Sequence, residues 1–199
     1  MKSTLKITTL ALAFAGFAFG ASAQTAPVNQ TKSTGSDGLV LSVGVDAGIP
    51  TGNLSNGYNW NIGGSVQADI PVVSNQLFVT VNAGYNSLQG KDNAFGTNLT
   101  ATNIQLLPVK AGLKFFPVSH FYVQGEAGAA FTLNKSDVGF DNGAAFIYAP
   151  QIGYQIPLGG KNYLDAGVRY EGSTKFTSSN DNSQVNFVAL RLAYAFGTK

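Results

Sequence analysis

From residue 38 to residue 196, apolar side chains recur at every second position in eight successive segments, with turn-forming residues between them. A period of two belongs to β-strands, whose side chains point alternately to two faces. In the first segment Leu39, Leu41, Val43, Val45, Ala47 and Ile49 share one face, and Ser42, Gly44, Asp46 and Gly48 share the other. The alternation returns in residues 62–70, 77–86, 109–115, 121–131, 146–156, 164–171 and 188–196. The expected fold class is therefore all-β: an eight-stranded antiparallel up-and-down barrel, each strand long enough to cross a bilayer at a tilt of roughly 45°.

The connections support closure in a membrane. Three short turns each open on a proline after an apolar residue, at Ile70-Pro71, Phe116-Pro117 and Ile156-Pro157. Proline lacks the N–H that a ladder needs, so each is expected to stop its strand. Between them lie four long polar connections, residues 51–59, 89–103, 134–143 and 173–183. Short turns at one end and long loops at the other are the outer-membrane arrangement, with the short turns and both termini periplasmic.

Period two alone does not say which face is wet. Glycine helps to decide. Gly44, Gly63, Gly84, Gly112, Gly128, Gly153 and Gly167 all fall on the polar face. A water-facing surface has no use for a residue that weakens strands, whereas a narrow eight-stranded lumen needs small residues beside large ones. Charge helps as well. That face also carries Lys110, Lys114, Arg169 and Arg191 against Asp46, Asp69, Glu126, Asp165 and Glu171. Near balance is what an enclosed compartment requires, because an unpaired buried charge costs several kcal/mol. These nine residues are the expected interior polar network. The apolar face then meets lipid. Phe115, Phe116, Phe121, Tyr122, Tyr154, Tyr163, Tyr194 and Phe196 are expected in one aromatic belt. Tyr58, Trp60, Tyr85, Phe131, Phe146, Tyr148 and Tyr170 are expected in the other.

The N-terminus assigns the compartment. Lys2 and Lys6 precede an apolar run at residues 7–19, and Ala21-Ser22-Ala23 is a small-x-small cleavage site. Residues 1–23 read as a cleaved signal peptide, residues 24–37 as a flexible periplasmic leader, and residues 38–199 as the barrel. Loss of Lys2 and Lys6 brings the 12 basic and 10 acidic residues to ten of each. The basic balance of the whole chain thus gives no reason to expect nucleic acid as a partner. There is no cysteine, which excludes both a disulfide framework and a lipid-modified cysteine.

Together these features resemble the OmpX/OmpA-type outer-membrane β-barrel domain family. The resemblance covers residues 38–199. It is carried by the signal peptide, the eight alternating segments, the stretch Leu106-Leu107-Pro108-Val109-Lys110-Ala111-Gly112-Leu113-Lys114-Phe115-Phe116 with the following Phe121-Tyr122-Val123, and the last segment, residues 188–196. That last segment resembles the signal read by the barrel-assembly machinery. The family usually ends on an aromatic, whereas here Gly197-Thr198-Lys199 follows Phe196. No peptidoglycan-binding domain of the OmpA kind is expected after the barrel. The resemblance implies a bacterial outer-membrane protein, with outer-membrane lipid or lipopolysaccharide, the assembly machinery and a surface ligand at the loops as partners.

Some eight-stranded barrels are lipid-modifying enzymes and would need a Ser/His or His/Asp/Ser set near the outer rim. The one histidine, His120, lies instead in a short turn, and no nucleophile–base set is legible. Asp165 and Glu171 flank Arg169 at spacings that could serve a proton relay, but an ion-pair network filling the lumen is the simpler expectation. Asp92, Asp137, Asp141 and Asp181 are too scattered for a calcium loop. The triplets beginning at Asn53, Asn98 and Asn134 are given no role. No cofactor or metal is expected. The expected function is a non-enzymatic structural or surface-interaction barrel with a plugged polar interior. A minor porin-like channel or small-solute transporter is the alternative, and a lipid-modifying enzyme comes third.

Overall fold

Alternation of this kind satisfies the backbone only if every strand finds two neighbours, and in lipid that requires a closed sheet. The computed structural model has that form, and it describes residues 38–73, 76–96, 98–177 and 183–198. Eight strands pair antiparallel in chain order, and β1 closes against β8. They are β1 (Val40–Pro50), β2 (Tyr58–Val73), β3 (Leu77–Gly90), β4 (Ile104–Val118), β5 (Phe121–Thr132), β6 (Ala144–Gly159), β7 (Asn162–Ser173) and β8 (Asn186–Gly197). The closing register sets Asp46 opposite Arg191 and Leu41 opposite Phe196. The expected signal peptide and leader lie outside the described residues.

The barrel has its apolar side outward. Val45 is 62% exposed and Leu190 65%, while their chain neighbours Asp46 and Arg191 are 3% and 1% exposed. In water that surface would be untenable; in a bilayer it is the lipid-facing band.

Two expectations about the strands need correction. The three prolines do not stop their strands. Pro71, Pro117 and Pro157 lie within β2, β4 and β6, each one or two residues before the strand ends. Each coincides with a shift in pairing register, between Pro71 and Val73, Phe115 and Val118, and Pro157 and Gly159. A bulge tolerates the missing N–H and bends the strand toward its turn. The strands also reach further into the long connections. β2 begins at Tyr58, β3 runs to Gly90 and β7 runs to Ser173.

The long loops carry short helical pieces at Gly52–Asn56 and Ala94–Gly96, and a four-residue helix α1 (Lys135–Val138). Hydrogen bonds tie the loops to one another. The Asn142 amide donates to the Phe176 carbonyl at 2.9 Å and the Lys91 amide to the Gly57 carbonyl at 2.8 Å. At the β4–β5 turn His120 takes a left-handed backbone conformation (φ 69°), its carbonyl accepts from Gln155, and its ring lies 5.8 Å from that of Tyr154.

Candidate functional site

Among the described residues, the fold gathers charge in the lumen. All nine expected network residues, Asp46, Asp69, Lys110, Lys114, Glu126, Asp165, Arg169, Glu171 and Arg191, are buried there. Period two puts them inside, and closure brings them together from β1, β2, β4, β5, β7 and β8.

Asp165 is the hub of the short-turn half. It accepts from Tyr122 Oη at 2.7 Å, Gln155 Nε2 at 3.0 Å and Lys114 Nζ at 3.4 Å, and lies 3.6 Å from Arg191 Nη1. Lys114 also donates to Asp69 at 2.7 Å, and its ammonium sits 4.5 Å from the centre of the Tyr122 ring. Arg191 adds Ser42 at 3.1 Å and Ser65 at 3.4 Å. Ser65 in turn donates to Asp46 Oδ2 at 3.1 Å.

In the long-loop half Lys110 donates to Glu171 and lies 4.0 Å from Glu126. Thr80 donates to the other Glu126 oxygen at 3.1 Å. Arg169 lies 3.4 Å from Asp46 and donates to Gln151 at 2.8 Å, and Gln151 donates to Tyr122 Oη. Asp165 and Glu171, neighbours of Arg169 in sequence, thus have separate cations: Lys114 and Arg191 for the first, Lys110 for the second. The arrangement is a set of cross-linked ion pairs, most of whose members also hydrogen-bond to neutral polar side chains, which is what makes buried charges tolerable. Asp46 Oδ1, Glu126 Oε2, Arg169 Nη2 and Arg191 Nη1 have no hydrogen-bond partner among the described residues and are held by charge alone.

Glycine makes room where a large side chain crosses the lumen. A Cβ at Gly153 would lie 2.3 Å from Tyr122 Oη, and one at Gly167 would lie 2.9 Å from it. Tyr122 reaches Asp165 because these two positions are empty.

Several residues assigned to the aromatic belts belong to the lumen instead. Phe116 and Tyr122 are buried with Phe78, with ring centroids 5.7 Å apart for both Phe78–Phe116 and Phe116–Tyr122. Tyr163 is buried with Val40 and Ala195, and Tyr58 lies in a third cluster. The physical reason is parity. Phe116 shares the phase of Lys114, Tyr122 that of Gln124, and Tyr163 that of Asp165. Tyr85, Phe146, Tyr148, Tyr154, Tyr194 and Trp60 do face outward.

The third cluster has no signature in the charge pattern of the sequence. Leu88, Ile104, Leu106, Ile147 and Phe187 on the strand ends, with Leu54, Phe176 and Val185 from the loops, form an apolar layer at the long-loop end. The lumen therefore has three levels rather than one polar filling: an aromatic floor at the short turns, the ion pairs in the middle, and an apolar cap under the loops. In the loops Asp92 accepts from Thr100 at 2.8 Å, while Asp137 and Asp141 belong to a different loop. Asp181 lies outside the described residues.

Residues 8–196 match the family model described as the outer membrane protein beta-barrel domain. No match is found among curated proteins. Among solved structures, the chain resembles Neisserial surface protein A, with a TM-score of 0.56 and 15% identity over 82% of this chain and 99% of that one. It also resembles the outer membrane protein AlkL in lipid bilayers, with a TM-score of 0.51 and 15% identity over 89% and 97%. At such identity the likeness concerns the fold.

Proposed function

The chain belongs to the outer membrane protein beta-barrel domain family and lies in the bacterial outer membrane, and from this we propose that it is a sealed, non-enzymatic barrel that acts through its long loops. The observation that carries the proposal is the three-level filling of the lumen. A solute would have to displace the apolar cap, then part ion pairs whose members are almost fully buried, then pass the Phe78, Phe116 and Tyr122 cluster. Eight strands leave a bore only wide enough for such side chains.

With the bore filled, the protein's contact with its surroundings is the outer wall and the loops. The wall serves lipid. The loops, outside by the usual orientation of such barrels, would meet lipopolysaccharide or a surface ligand, and the β8 segment would meet the assembly machinery during insertion. Planar-bilayer recording tests the seal. No stepwise conductance is expected; reproducible steps of open-porin size would overturn the reading. Retention of the β8 role predicts that removing Phe196 slows assembly in cells without changing the folded barrel.

A further inference from the structure

Above the apolar cap the loops do not close completely. A cavity of about 210 Å³ remains between the β4 rim, the α1 loop and the β7–β8 loop. Its apolar walls include Ile104, Val138, Phe140 and Val185, and Tyr58 and Gln184 also line it. We propose that this cavity is a binding site for a small uncharged amphiphile: one ring, or a short chain of similar size, with a single polar end.

Three observations lead there. The first is that the walls brace one another, so the space cannot simply collapse. Phe140 stacks on Phe176 with ring centroids 4.8 Å apart. The Asp141 amide donates to Thr177 at 3.4 Å, the Thr177 amide to Ser183 at 2.9 Å, and the Val185 amide to Ser173 at 2.8 Å. Tyr58 Oη is anchored on the Thr102 carbonyl at 3.1 Å. A preformed site of this kind spares a ligand the cost of ordering loops.

The second is charge. Among the described residues, no Asp, Glu, Lys or Arg lines the space. An ion entering it would lose hydration with nothing to replace it. The third is size. A cavity of roughly 150 Å³ with apolar walls accepts benzene, so this one suits a single substituted ring. Its mixed lining, with the Gln184 amide and hydroxyl-bearing residues beside hydrocarbon, favours one polar end over a pure hydrocarbon. Ile104 and Val185 are each only 2% exposed and belong to the cap, so the site is a cup with a floor. A ligand would be held at the surface and not handed inward.

The test uses the full mature chain in lipid nanodiscs and 4-fluorophenol as the probe, followed by fluorine NMR, with empty nanodiscs measuring partition into lipid. Saturable one-site binding above that background is expected, with no binding of 4-fluorobenzoate at pH 8. Val138→Trp, at the half-buried residue of the otherwise exposed α1, should fill the cup and weaken binding at least tenfold. Gln184→Trp, at an exposed position, is the second filling variant should the first disturb the loop. Heat-modifiable migration confirms that each is folded. Binding no greater than in empty nanodiscs, equal binding of the benzoate, or undiminished binding in a folded filled variant overturns the site. Conductance on the same samples reads the seal separately: a conducting barrel that still binds the phenol would overturn the sealed reading and leave the cup standing.

Discussion

Replacing Lys110 by methionine isolates what the charge network contributes. The Lys110 side chain is fully buried, donates to Glu171 and lies 4.0 Å from Glu126, also fully buried. Four cations face five carboxylates in the lumen, so the substitution leaves three against five and strands two acids at once. Removing one member of a buried pair costs about 3–5 kcal/mol, and the Coulomb term for one pair at 4 Å under an effective dielectric near 20 is about 4 kcal/mol. Glu126→Gln is the matched control. It brings the count to four against four, keeps the shape, and still accepts from Thr80, so a change within about 1 kcal/mol is expected. Equilibrium urea unfolding in lipid vesicles reads both variants through Trp60, the only tryptophan, which is 47% exposed on the outer wall. Equal shifts for the two variants, or a Lys110→Met cost below about 1 kcal/mol, would refute the account. Either result would mean that water screens the lumen and that charge balance there is not a constraint.

Other outcomes follow from the same geometry. Gly153→Val should push Tyr122 off Asp165 and lower the temperature of the heat-modifiable gel shift, at a cost of about 1–3 kcal/mol from overpacking. Gly125→Ala, where an added Cβ meets nothing within 4 Å, should leave the shift unchanged. Leu192→Arg places a charge near the middle of the outer wall and should destabilise by about 2–4 kcal/mol in vesicles, where the same change at the exposed loop residue Leu99 should not register. Phe187→Ala removes a buried ring of the apolar cap and should cost about 3–5 kcal/mol. It should open no conductance, because the ion pairs beneath remain.

Much of this could be read in advance because a strand's side-chain phase is rigid. Once Lys110 and Lys114 point inward, so must Gly112, and so must Ile104, Leu106 and Phe116 on the same strand. The nine charged residues were found because charge advertises itself against an apolar background. The cap and the floor are hidden in the sequence because Leu88, Ile147, Phe187 and Tyr122 look like lipid-facing residues by composition. Only parity with Asn86, Gln151, Arg191 and Gln124 shows them inside. Carrying each strand's phase to its ends would have placed all four. The prolines depart from the sequence pattern for a related reason: a missing N–H reads as a stop, although a bulge accommodates it within a strand.

The sequence by itself determined that there are eight strands, that they have two unlike faces, and which face carries the charge, because these properties depend only on spacing along one chain. Tertiary structure alone decided who pairs with whom. Arg169 finds Asp46 on β1 and not its sequence neighbours, Asp165 collects Lys114, Arg191, Tyr122 and Gln155 from four other strands, and three loops enclose a cup above the lumen. Those contacts are set by the barrel's register and closure, which bring together residues far apart in sequence, and no local pattern encodes the distance between them.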